Sequence, residues 1–282
     1  MCKGSGVAKQ RLDTLLAERG LFPSRTRAAA SVMAGEVKVG VGARRAVKPG
    51  EMVDAEELLT VEERAAFVSR GGIKLANALD SSGLSVAGVR ALDVGSSTGG
   101  FTDCLLQRGA REVIAVDVGY GILDYRLRSD PRVAVLERTN ARELTPEMLP
   151  APLTDPPGPP ALAVIDVSFI SLTKVLGAVI GCLGGDWDVL AMIKPQFEVG
   201  RGRVGKGGVV REAEDRRWAL VTVGEAAISL GASIQGYHSS GLPGPKGNRE
   251  TFIHLAPGAR LGGAADSEQL EQLEAMVRVV EP

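Results

Sequence analysis

Two patterns of apolar and polar residues follow one another along the chain, and they change near residue 64. The first part consists of short segments. Leucines at helical spacing follow Arg11, the stretch SRTRAAASVMAG begins with a serine that can cap a helix, and EVKVGVG alternates as a strand does. Glycines at positions 20 and 35 are typical helix stops. These segments predict a small α+β domain over residues 1–63, with two helices and one hairpin-rich sheet.

The second part alternates apolar strands with helices, and we predict that it forms one domain over residues 64–282. Its strand-like runs are VRALDVG, REVIAVDVG, RVAVLER, ALAVIDVS and DWDVLAMIK. Helical stretches such as FTDCLLQRG and SLTKVLGAVIGCL lie between them. This order is typical of parallel βαβ units and predicts an α/β fold, a doubly wound, mostly parallel sheet with helices on both faces. The proline-rich stretch PAPLTDPPGPPA predicts a surface loop.

Charge is distributed unevenly along the 282 residues. The formal net charge is −1, which by itself indicates no polyanionic partner. Residues 1–50 hold ten lysines and arginines against three acidic residues, a balance of +7, so the remainder carries −8. A basic domain on an otherwise acidic chain favours binding of a polyanion. The residues expected to line one face of this domain are Arg11, Arg25, Arg27, Lys38, Arg44, Arg45 and Lys48.

The cysteines, the histidines and the apolar runs indicate the cellular compartment and whether a metal or a membrane is involved. Cys2, Cys104 and Cys182 have neither disulfide nor metal-ligand spacing, as is typical of a reducing compartment. His238 and His254 are far apart and have no further metal-ligating residues at a suitable spacing, so we expect no metal site. The first residues lack an apolar signal segment, and no uncharged apolar run approaches the about 18 residues of a membrane span. We therefore expect a soluble, cytoplasmic protein without a membrane partner.

A glycine-rich turn in ALDVGSSTGGFTDCLL lies between a predicted strand and a predicted helix. Glycines there let the backbone approach a ligand closely. Asp117 ends the next strand, where a carboxylate can accept the ribose hydroxyls of a nucleoside. The arrangement resembles the S-adenosylmethionine site of class I methyltransferases, and a purely structural βα turn is the alternative. The residues predicted to hold this cofactor are Asp93, Gly95, Ser97, Thr98, Gly99, Gly100, Phe101, Asp117 and Asn140.

A second glycine-rich stretch, GRGRVGKGG, partly matches a phosphate-binding P-loop. Gly207 stands where a P-loop has the serine or threonine that holds Mg²⁺, and the stretch follows a late strand. We therefore favour a basic loop over a phosphate backbone rather than nucleotide hydrolysis. The predicted RNA contacts of this loop are Arg201, Arg203 and Lys206.

Four charged residues lie at the ends of predicted core elements. Asp166 ends one strand and Lys194 the next, so both reach the same rim if these strands are neighbours. Lys74 lies on the helix before the first core strand. Glu250 starts a late strand. Two lysines and two carboxylates beside a methyl donor predict a catalytic set, and a buried double salt bridge without chemistry is the alternative.

Methylation of a ribose hydroxyl needs a base, and a desolvated lysine can supply one. We assign that role to Lys194, with Asp166 to position it. Lys74 would stabilise the developing alkoxide, and Glu250 would hold one of the lysines.

The same four residues resemble the Lys–Asp–Lys–Glu set of FtsJ-like ribose 2′-O-methyltransferases. Six further sequence motifs resemble the TlyA family more closely still. They are SRGGIKL, LDVGSSTGGFTDCLL, AVDVGYG, DVSFISL, IKPQFE and KGGVVR. That resemblance implies a bacterial rRNA (cytidine-2′-O)-methyltransferase, often labelled a haemolysin, with a class I S-adenosylmethionine-dependent methyltransferase fold of the Rossmann-like type. RLDTLLAERGLFPSRTRAAASVMAGEVKV resembles the S-four-type RNA-binding domain, which implies rRNA or ribosomal subunits as partner.

Two other functions stay open at this point. One is a ribosome-assembly factor that binds rRNA with a silent methyltransferase domain, and the other is a membrane-active haemolysin. The intact set of four charged residues argues against a catalytically inactive domain. The lack of a membrane span argues against direct lysis of membranes. The target nucleotide, the ribosomal subunit and the oligomeric state are not encoded in any recognisable pattern.

Overall fold

The computed structural model describes residues 9–61, 66–153, 155, 157–261 and 266–281, so Cys2 lies outside the described residues. The chain divides into two compact units, Met1–Ala65 and Ala66–Pro282, where the sequence pattern predicted a change after residue 63. The division says nothing of what each unit does, so the two functional domains stay predictions.

The first unit contains the two predicted helices among short strands. Its sheets pair β1 with β4 and, separately, order β3-β2-β5, so the single predicted sheet is wrong. Ser24 caps the second helix, since its side chain accepts a hydrogen bond from the Arg27 backbone N–H at 3.2 Å. The elements are β1 (Lys9–Arg11), α1 (Leu12–Glu18), α2 (Arg25–Met33), β2 (Val37–Val39), β3 (Arg44–Arg45), β4 (Met52–Asp54) and β5 (Leu59–Val61).

The second unit is built around a seven-stranded sheet of order β11-β12-β10-β9-β6-β7-β8. Strands β6 to β10 run parallel, while β12 is antiparallel to both of its neighbours. The predicted doubly wound, mostly parallel sheet is therefore confirmed. The elements are α3 (Arg70–Ser82), β6 (Arg90–Val94), α4 (Gly100–Gln107), β7 (Glu112–Val116), α5 (Tyr125–Arg128), β8 (Val133–Leu136), β9 (Leu162–Ile165), α6 (Leu176–Ile180), β10 (Asp188–Ile193), α7 (Pro195–Glu198), α8 (Ala213–Ser229), β11 (Ala232–Ser239), β12 (Thr251–Pro257) and α9 (Asp266–Val280).

Helix α8 is the longest element that the sequence pattern did not single out. Its buried face is made largely of small residues, among them Ala219, Gly224 and Ala227. Small apolar side chains give a weak amphipathic signal, and the glycine lowers the intrinsic helix propensity. Packing against β11 and α9 therefore stabilises the helical conformation of this segment.

One edge of the sheet collects the ends of most strands. The parallel strands β6 to β10 all finish there, and β12 starts there because it runs the other way. The register makes this concrete, since Ile193 at the end of β10 lies opposite Thr251 at the start of β12. Val94 of β6 likewise lies beside Ile165 of β9. Residues that follow the parallel strands and the residue that precedes β12 are thus brought together.

The opposite end of the sheet is held by a buried ion pair. Arg90 Nε donates to Glu112 Oε1 at 2.9 Å, and both side chains are almost fully enclosed. The other guanidinium nitrogens donate to the carbonyls of Pro150 and Gly158, and Glu112 accepts from the Leu153 N–H at 3.0 Å. The proline-rich loop that the sequence predicted is therefore fixed to the sheet by charge-assisted hydrogen bonds.

Substitution Glu112→Gln tests this anchor. We expect the free energy of unfolding to fall by about 3–5 kcal/mol, because the change leaves the enclosed Arg90 guanidinium without its counter-charge. Urea unfolding followed by tryptophan fluorescence reports on this unit, since both tryptophans, Trp187 and Trp218, lie in it. The exposed pair of Glu274 and Arg278 supplies the control; Glu274→Gln should change stability by at most about 0.5 kcal/mol. Equal effects of the two substitutions would contradict the anchor.

Candidate active site

The glycine-rich turn that follows β6 passes very close to the end of β9. Gly95 has a φ of 86°, and a Cβ on it would stand 2.5 Å from the backbone oxygen of Asp166. A Cβ on Gly100 would stand 2.2 Å from Ser69 Oγ, at the start of α3. Only glycine fits these two positions without moving backbone or helix. The turn therefore brings its backbone against the two elements that carry Lys74 and Asp166.

A cavity of about 430 Å³ opens beside this turn at the carboxyl ends of β6, β7, β8 and β9, and we call it the turn cavity. Asp117 is fixed in its wall, because its carboxylate accepts hydrogen bonds from the N–H groups of Ser97 and Gly119, both at 2.7 Å. The remaining lone pairs of a carboxylate can still accept from a ligand. The lining residues are Val94, Gly95, Ser97, Val116, Asp117, Val118, Thr139, Asn140, Ala141, Asp166, Val167, Ser168, Phe169, Ile170 and Val175.

A smaller cavity of about 220 Å³, the side cavity, lies on the other side of the turn. It takes up three more of the predicted cofactor residues, Thr98, Gly100 and Phe101. The ring of Phe101 is nevertheless almost wholly buried and packs against Phe252 at a centroid distance of 5.8 Å. Its contribution to the core is therefore larger than its contribution to the cavity.

Asp93 and Gly99 line neither of these cavities, so direct contact with a ligand stays a prediction that the geometry does not favour. Asp93 is fully enclosed and accepts a hydrogen bond from Thr102 Oγ1 at 2.6 Å. Burial raises the pKa of this carboxyl to about 7, and the nearby carboxylates of Asp166 and Asp117 add to the shift. Its place is beneath the turn, where it ties β6 to α4.

Asn140 reaches the turn cavity but is already engaged. Its Oδ1 accepts from the Arg142 N–H and its Nδ2 donates to Glu143, both at 3.2 Å. The side chain thus caps the short 3₁₀ turn Ala141–Glu143. A role in the cofactor site would use its exposed edge and stays a prediction.

All four predicted catalytic residues line one cavity of about 450 Å³, which we call the tetrad cavity. It shares Asp166, Ser168 and Phe169 with the turn cavity. The lining residues are Lys74, Asp166, Ser168, Phe169, Lys194, Gln196, Phe197, Val204, Gly208, Gly244, Pro245, Lys246, Asn248 and Glu250. The side chains that the sequence predicted to converge therefore do so, although their chemical roles stay predictions.

The four charges form two ion pairs. Lys74 Nζ donates to Glu250, and this pair is enclosed, with side-chain exposures of 8% and 1%. Lys194 Nζ lies 2.6 Å from Asp166 Oδ1 in the more open pair, where the aspartate is 25% exposed. Breaking a buried pair leaves a costly unpaired charge, so the first pair is fixed while the second can exchange with a ligand. Glu250 thus holds Lys74, one of the two lysines between which the sequence left the choice open.

Sequence reasoning missed two residues that follow Asp166. Ser168 accepts a hydrogen bond from Lys194 Nζ at 2.8 Å and lines both the turn cavity and the tetrad cavity. Phe169 has a φ of 64°, a strained value for a phenylalanine, and its side chain is 91% exposed on the rim. The stretch DVSF carried a signal for the serine only, since a polar residue two positions after a strand-end acid reaches the same rim.

The predicted RNA contacts lie on accessible surface, but several are engaged in ion pairs. Arg11 and Arg25 both bond to the buried Asp13 and hold the pKa of that carboxyl well below its usual range. Lys38 and Arg45 are directly opposed across β2 and β3 and so share a face. The remaining positions are Arg27 and Lys48, both exposed, and Arg44, which pairs with Glu51 at 3.0 Å.

In the glycine-rich loop after β10, Arg201 and Lys206 are exposed. Arg203 is constrained, because it lies 3.2 Å from Asp215 Oδ1 and covers the ring of Trp218 at 4.9 Å. All RNA contacts therefore stay predictions, with Arg201 and Lys206 the freest of this loop.

No group of three or more potential metal ligands occurs in the described ranges 9–61, 66–153, 155, 157–261 and 266–281. His254 instead bonds Asp188 Oδ1 at 2.7 Å, and its ring lies 6.2 Å from that of His238. Within the part of the chain that the structure describes, no helix is both long and apolar enough for a membrane span. Cys104 and Cys182 are free and buried.

Comparison with known proteins decides the family. Residues 67–256 match the model of the FtsJ-like methyltransferases. The chain belongs to this family. Within it, the chain is 48% identical over 249 residues to the 16S/23S rRNA (cytidine-2′-O)-methyltransferase TlyA of Mycobacterium tuberculosis, a match that covers 88% of this chain and 90% of the relative. The protein is thus a TlyA-type, S-adenosylmethionine-dependent methyltransferase of the FtsJ-like family.

Other TlyA-type relatives carry two kinds of name. Hemolysin A of Brachyspira hyodysenteriae is 38% identical, over 87% of this chain and 99% of that protein. The 23S rRNA (cytidine-2′-O)-methyltransferase TlyA of Campylobacter jejuni is 32% identical over 67% of this chain and 70% of its own. A solved structure described as a hemolysin from Streptococcus thermophilus has a TM-score of 0.66 and 39% identity, and the match covers 98% of this chain and 99% of that one.

The turn cavity fits the cofactor of this family on its own chemistry. It offers a fixed carboxylate, Asp117, for ribose hydroxyls, and apolar side chains such as Val118 and Ile170 for a flat base. Asp166 lines both this cavity and the tetrad cavity, and its negative charge would suit a cationic sulfonium group. When bound, S-adenosylmethionine would supply an electrophilic methyl group.

Substitution Ser168→Ala tests whether this serine positions Lys194. We expect kcat for methyl transfer to fall about 5- to 10-fold, since a neutral hydrogen bond contributes about 1 kcal/mol and the amine loses its fixed direction. The KM for S-adenosylmethionine should stay unchanged, and Ser168→Thr, which keeps the hydroxyl, should recover most of kcat. Steady-state kinetics at saturating RNA measures the split. A wild-type kcat in the alanine variant would show that Asp166 alone positions the lysine.

Proposed function

We propose that the protein methylates the ribose 2′-hydroxyl of a cytidine in ribosomal RNA, with Lys194 as the general base. The observation that carries the proposal is the position of Asp166, which lines the turn cavity, the side cavity and the tetrad cavity. A methyl donor in the first cavity and a hydroxyl in the tetrad cavity would meet beside this carboxylate and the amine paired with it.

The chemistry follows from the two ion pairs. Lys194 Nζ would take the proton of the 2′-hydroxyl, while Asp166 and Ser168 keep the amine aimed at the reacting oxygen. Lys74 Nζ donates to the enclosed Glu250 carboxylate, which fixes its position. That fixed cation can stabilise the negative charge that develops on the ribose oxygen. The lysine in the enclosed pair thus serves as electrostatic support and the lysine in the open pair as base.

The identity of the substrate rests on the relatives and on one exposed side chain. The TlyA proteins of Mycobacterium tuberculosis and Campylobacter jejuni are named for rRNA (cytidine-2′-O)-methylation. In this chain, Phe169 lines the tetrad cavity and its aromatic ring is exposed. RNA bases outside a helix stack on such rings. We infer that the target base rests on Phe169 while its ribose enters the cavity.

The front unit would add affinity rather than chemistry. Its exposed basic residues, among them Arg27 and Lys48, can contact phosphates without reading sequence. We propose that this unit holds rRNA or a ribosomal subunit, and that the protein works in the cytoplasm, where ribosomes are assembled.

The first test uses labelled S-adenosylmethionine and ribosomal subunits that lack the modification. Wild-type protein should transfer label to a ribose 2′-oxygen, and Lys194→Ala should lower kcat by about 10²-fold or more, as is usual for a lost general base. Lys194→Arg is the decisive control, because a guanidinium keeps the charge but does not deprotonate.

Three outcomes separate the possibilities. Equal losses of kcat in the alanine and arginine variants support Lys194 as the general base. Recovery by arginine would overturn that role in favour of a purely electrostatic one. No transfer by the wild-type protein to any rRNA, despite tight binding, would overturn the enzyme in favour of an rRNA-binding assembly factor.

Substitution Phe169→Ala tests the stacking role. We expect kcat/KM for RNA to fall about 10- to 100-fold, because base–aromatic stacking contributes about 1–3 kcal/mol, while the affinity for S-adenosylmethionine stays unchanged. Phe169→Tyr keeps the ring and should retain most activity. Tyr125 is 80% exposed and lines none of the cavities described here, so Tyr125→Ala controls for loss of an exposed aromatic. Equal kinetics in the two alanine variants would contradict stacking at Phe169.

A further inference from the structure

A fourth cavity adjoins the tetrad cavity and has no part in the chemistry above. Its volume is about 680 Å³, within the about 300–1,000 Å³ of typical ligand sites. The two cavities share Phe169, Gln196, Phe197 and Val204. A chain that occupies one of them can therefore continue directly into the other. We call this space the basic cavity, and its lining residues beyond the shared four are Arg142, Ile170, Ser171, Lys174, Gly200 and Arg201.

The charge of the basic cavity is one-sided. Arg142, Lys174 and Arg201 line it and are exposed, and within the described ranges of the chain none of them has an ion-pair partner. No carboxylate is among its lining residues. These cations come from three separate segments, one after β8, one after β9 and one after β10. Three unpaired cations around one space favour an anionic ligand.

The acids that stand next to lining residues in the chain, Glu198 and Glu143, are engaged within the protein. Glu198 accepts hydrogen bonds from Ser171 Oγ at 2.6 Å and from the Leu172 N–H at 3.0 Å, so its carboxylate is occupied within the protein. Burial also raises the pKa of Glu198. Glu143, which follows Arg142 in the chain, accepts instead from Asn140.

Side chains that could contact a nucleobase lie beside the cations. The rings of Phe197 and Phe169 lie 5.4 Å apart and border both cavities. Gln196 Oε1 is buried between the same two cavities and has no hydrogen-bond donor among the described residues. A buried acceptor without a donor is unfavourable unless a ligand supplies one. Hydroxyl and amino groups of a nucleotide are suitable donors.

We propose that the basic cavity binds the nucleotide next to the target in the same RNA strand. Its phosphate would lie among Arg142, Lys174 and Arg201, and its base would lie against Phe197. This inference rests on the proposed function, because it takes the tetrad cavity as the place of the target ribose. A ribose in the tetrad cavity carries a phosphodiester on each side, and continuity between the cavities brings one of them to these cations. An acidic segment of a ribosomal protein is the competing occupant.

The test is the triple variant Arg142→Gln/Lys174→Gln/Arg201→Gln, which removes three positive charges and keeps polar side chains. Dissociation constants are measured for protein-free rRNA, for unmodified subunits and for S-adenosylmethionine, over a series of monovalent salt concentrations. We expect rRNA binding to weaken about 10-fold or more, and the slope of log K against log salt to fall by roughly 0.7–0.9, the value for one lost phosphate contact. Cofactor affinity should stay at the wild-type value.

A matched control removes the same charge elsewhere. Arg108, Arg126 and Arg278 pair with acids on the protein surface and line none of the four cavities. The triple variant Arg108→Gln/Arg126→Gln/Arg278→Gln should keep the wild-type affinity for RNA and the wild-type salt slope. If the first triple variant loses affinity for S-adenosylmethionine, the three single variants are compared instead, and each should lower the slope by part of the roughly 0.7–0.9 of one phosphate contact.

Each outcome decides the inference. Unchanged rRNA affinity and slope in the basic-cavity variants would overturn it. Weaker binding to subunits with unchanged binding to protein-free rRNA would also overturn it, in favour of an acidic ribosomal protein. Methyl transfer by the wild-type protein is measured in the same preparation, so a failure of the proposed function shows as absent transfer, whereas a failure of this inference shows as transfer with unaltered RNA binding in the variants.

Discussion

The active site depends on one reversal of strand direction. Because β12 runs antiparallel to β10, with Thr251 opposite Ile193, the residue before β12 lies beside the residue after β10. Parallel strands alone would place Glu250 at the far end of the sheet, away from Lys194. The same reversal lets Glu250 reach Lys74 on α3, which lies 176 positions earlier in the chain. Two ion pairs at a single rim are therefore a consequence of topology.

Those ion pairs are costly for the fold, because taking a lysine and a carboxylate out of water costs several kcal/mol for each ion. The pair of Lys74 and Glu250 is enclosed, and in the second pair Lys194 is nearly as buried while Asp166 is partly exposed. A hydrophobic substitute would serve stability as well. In the proposed function, their role is to supply a preorganised field at the place where charge develops during methyl transfer.

The parts of the candidate site that depend on local sequence patterns could be predicted. The glycine turn, Asp117 and the strand-end residues Asp166 and Lys194 follow from apolar runs that stop at a polar residue. The position of Ser168 after a strand-end acid places it at the same rim, but nothing local shows that its hydroxyl meets an amine 26 positions later.

Contacts between distant segments account for the other gaps. The positive φ of Phe169 and the gathering of Arg142 with Lys174 around one space depend on packing between separate segments. For Asp93, the position before the turn predicts a ligand contact, whereas the structure encloses the side chain beneath the turn, so that contact stays a prediction. Helix α8 was hidden by its small buried residues.

Asp166 forms part of the wall of three cavities, so its side chain cannot respond to one occupant alone. If the presence of a cofactor changes the energy of this carboxylate, the affinity for RNA changes with it, and thermodynamic linkage makes the effect equal in both directions. Under the proposed function, the cofactor and the RNA would both contact this carboxylate, so the occupant of one cavity would change the affinity of the next for its own.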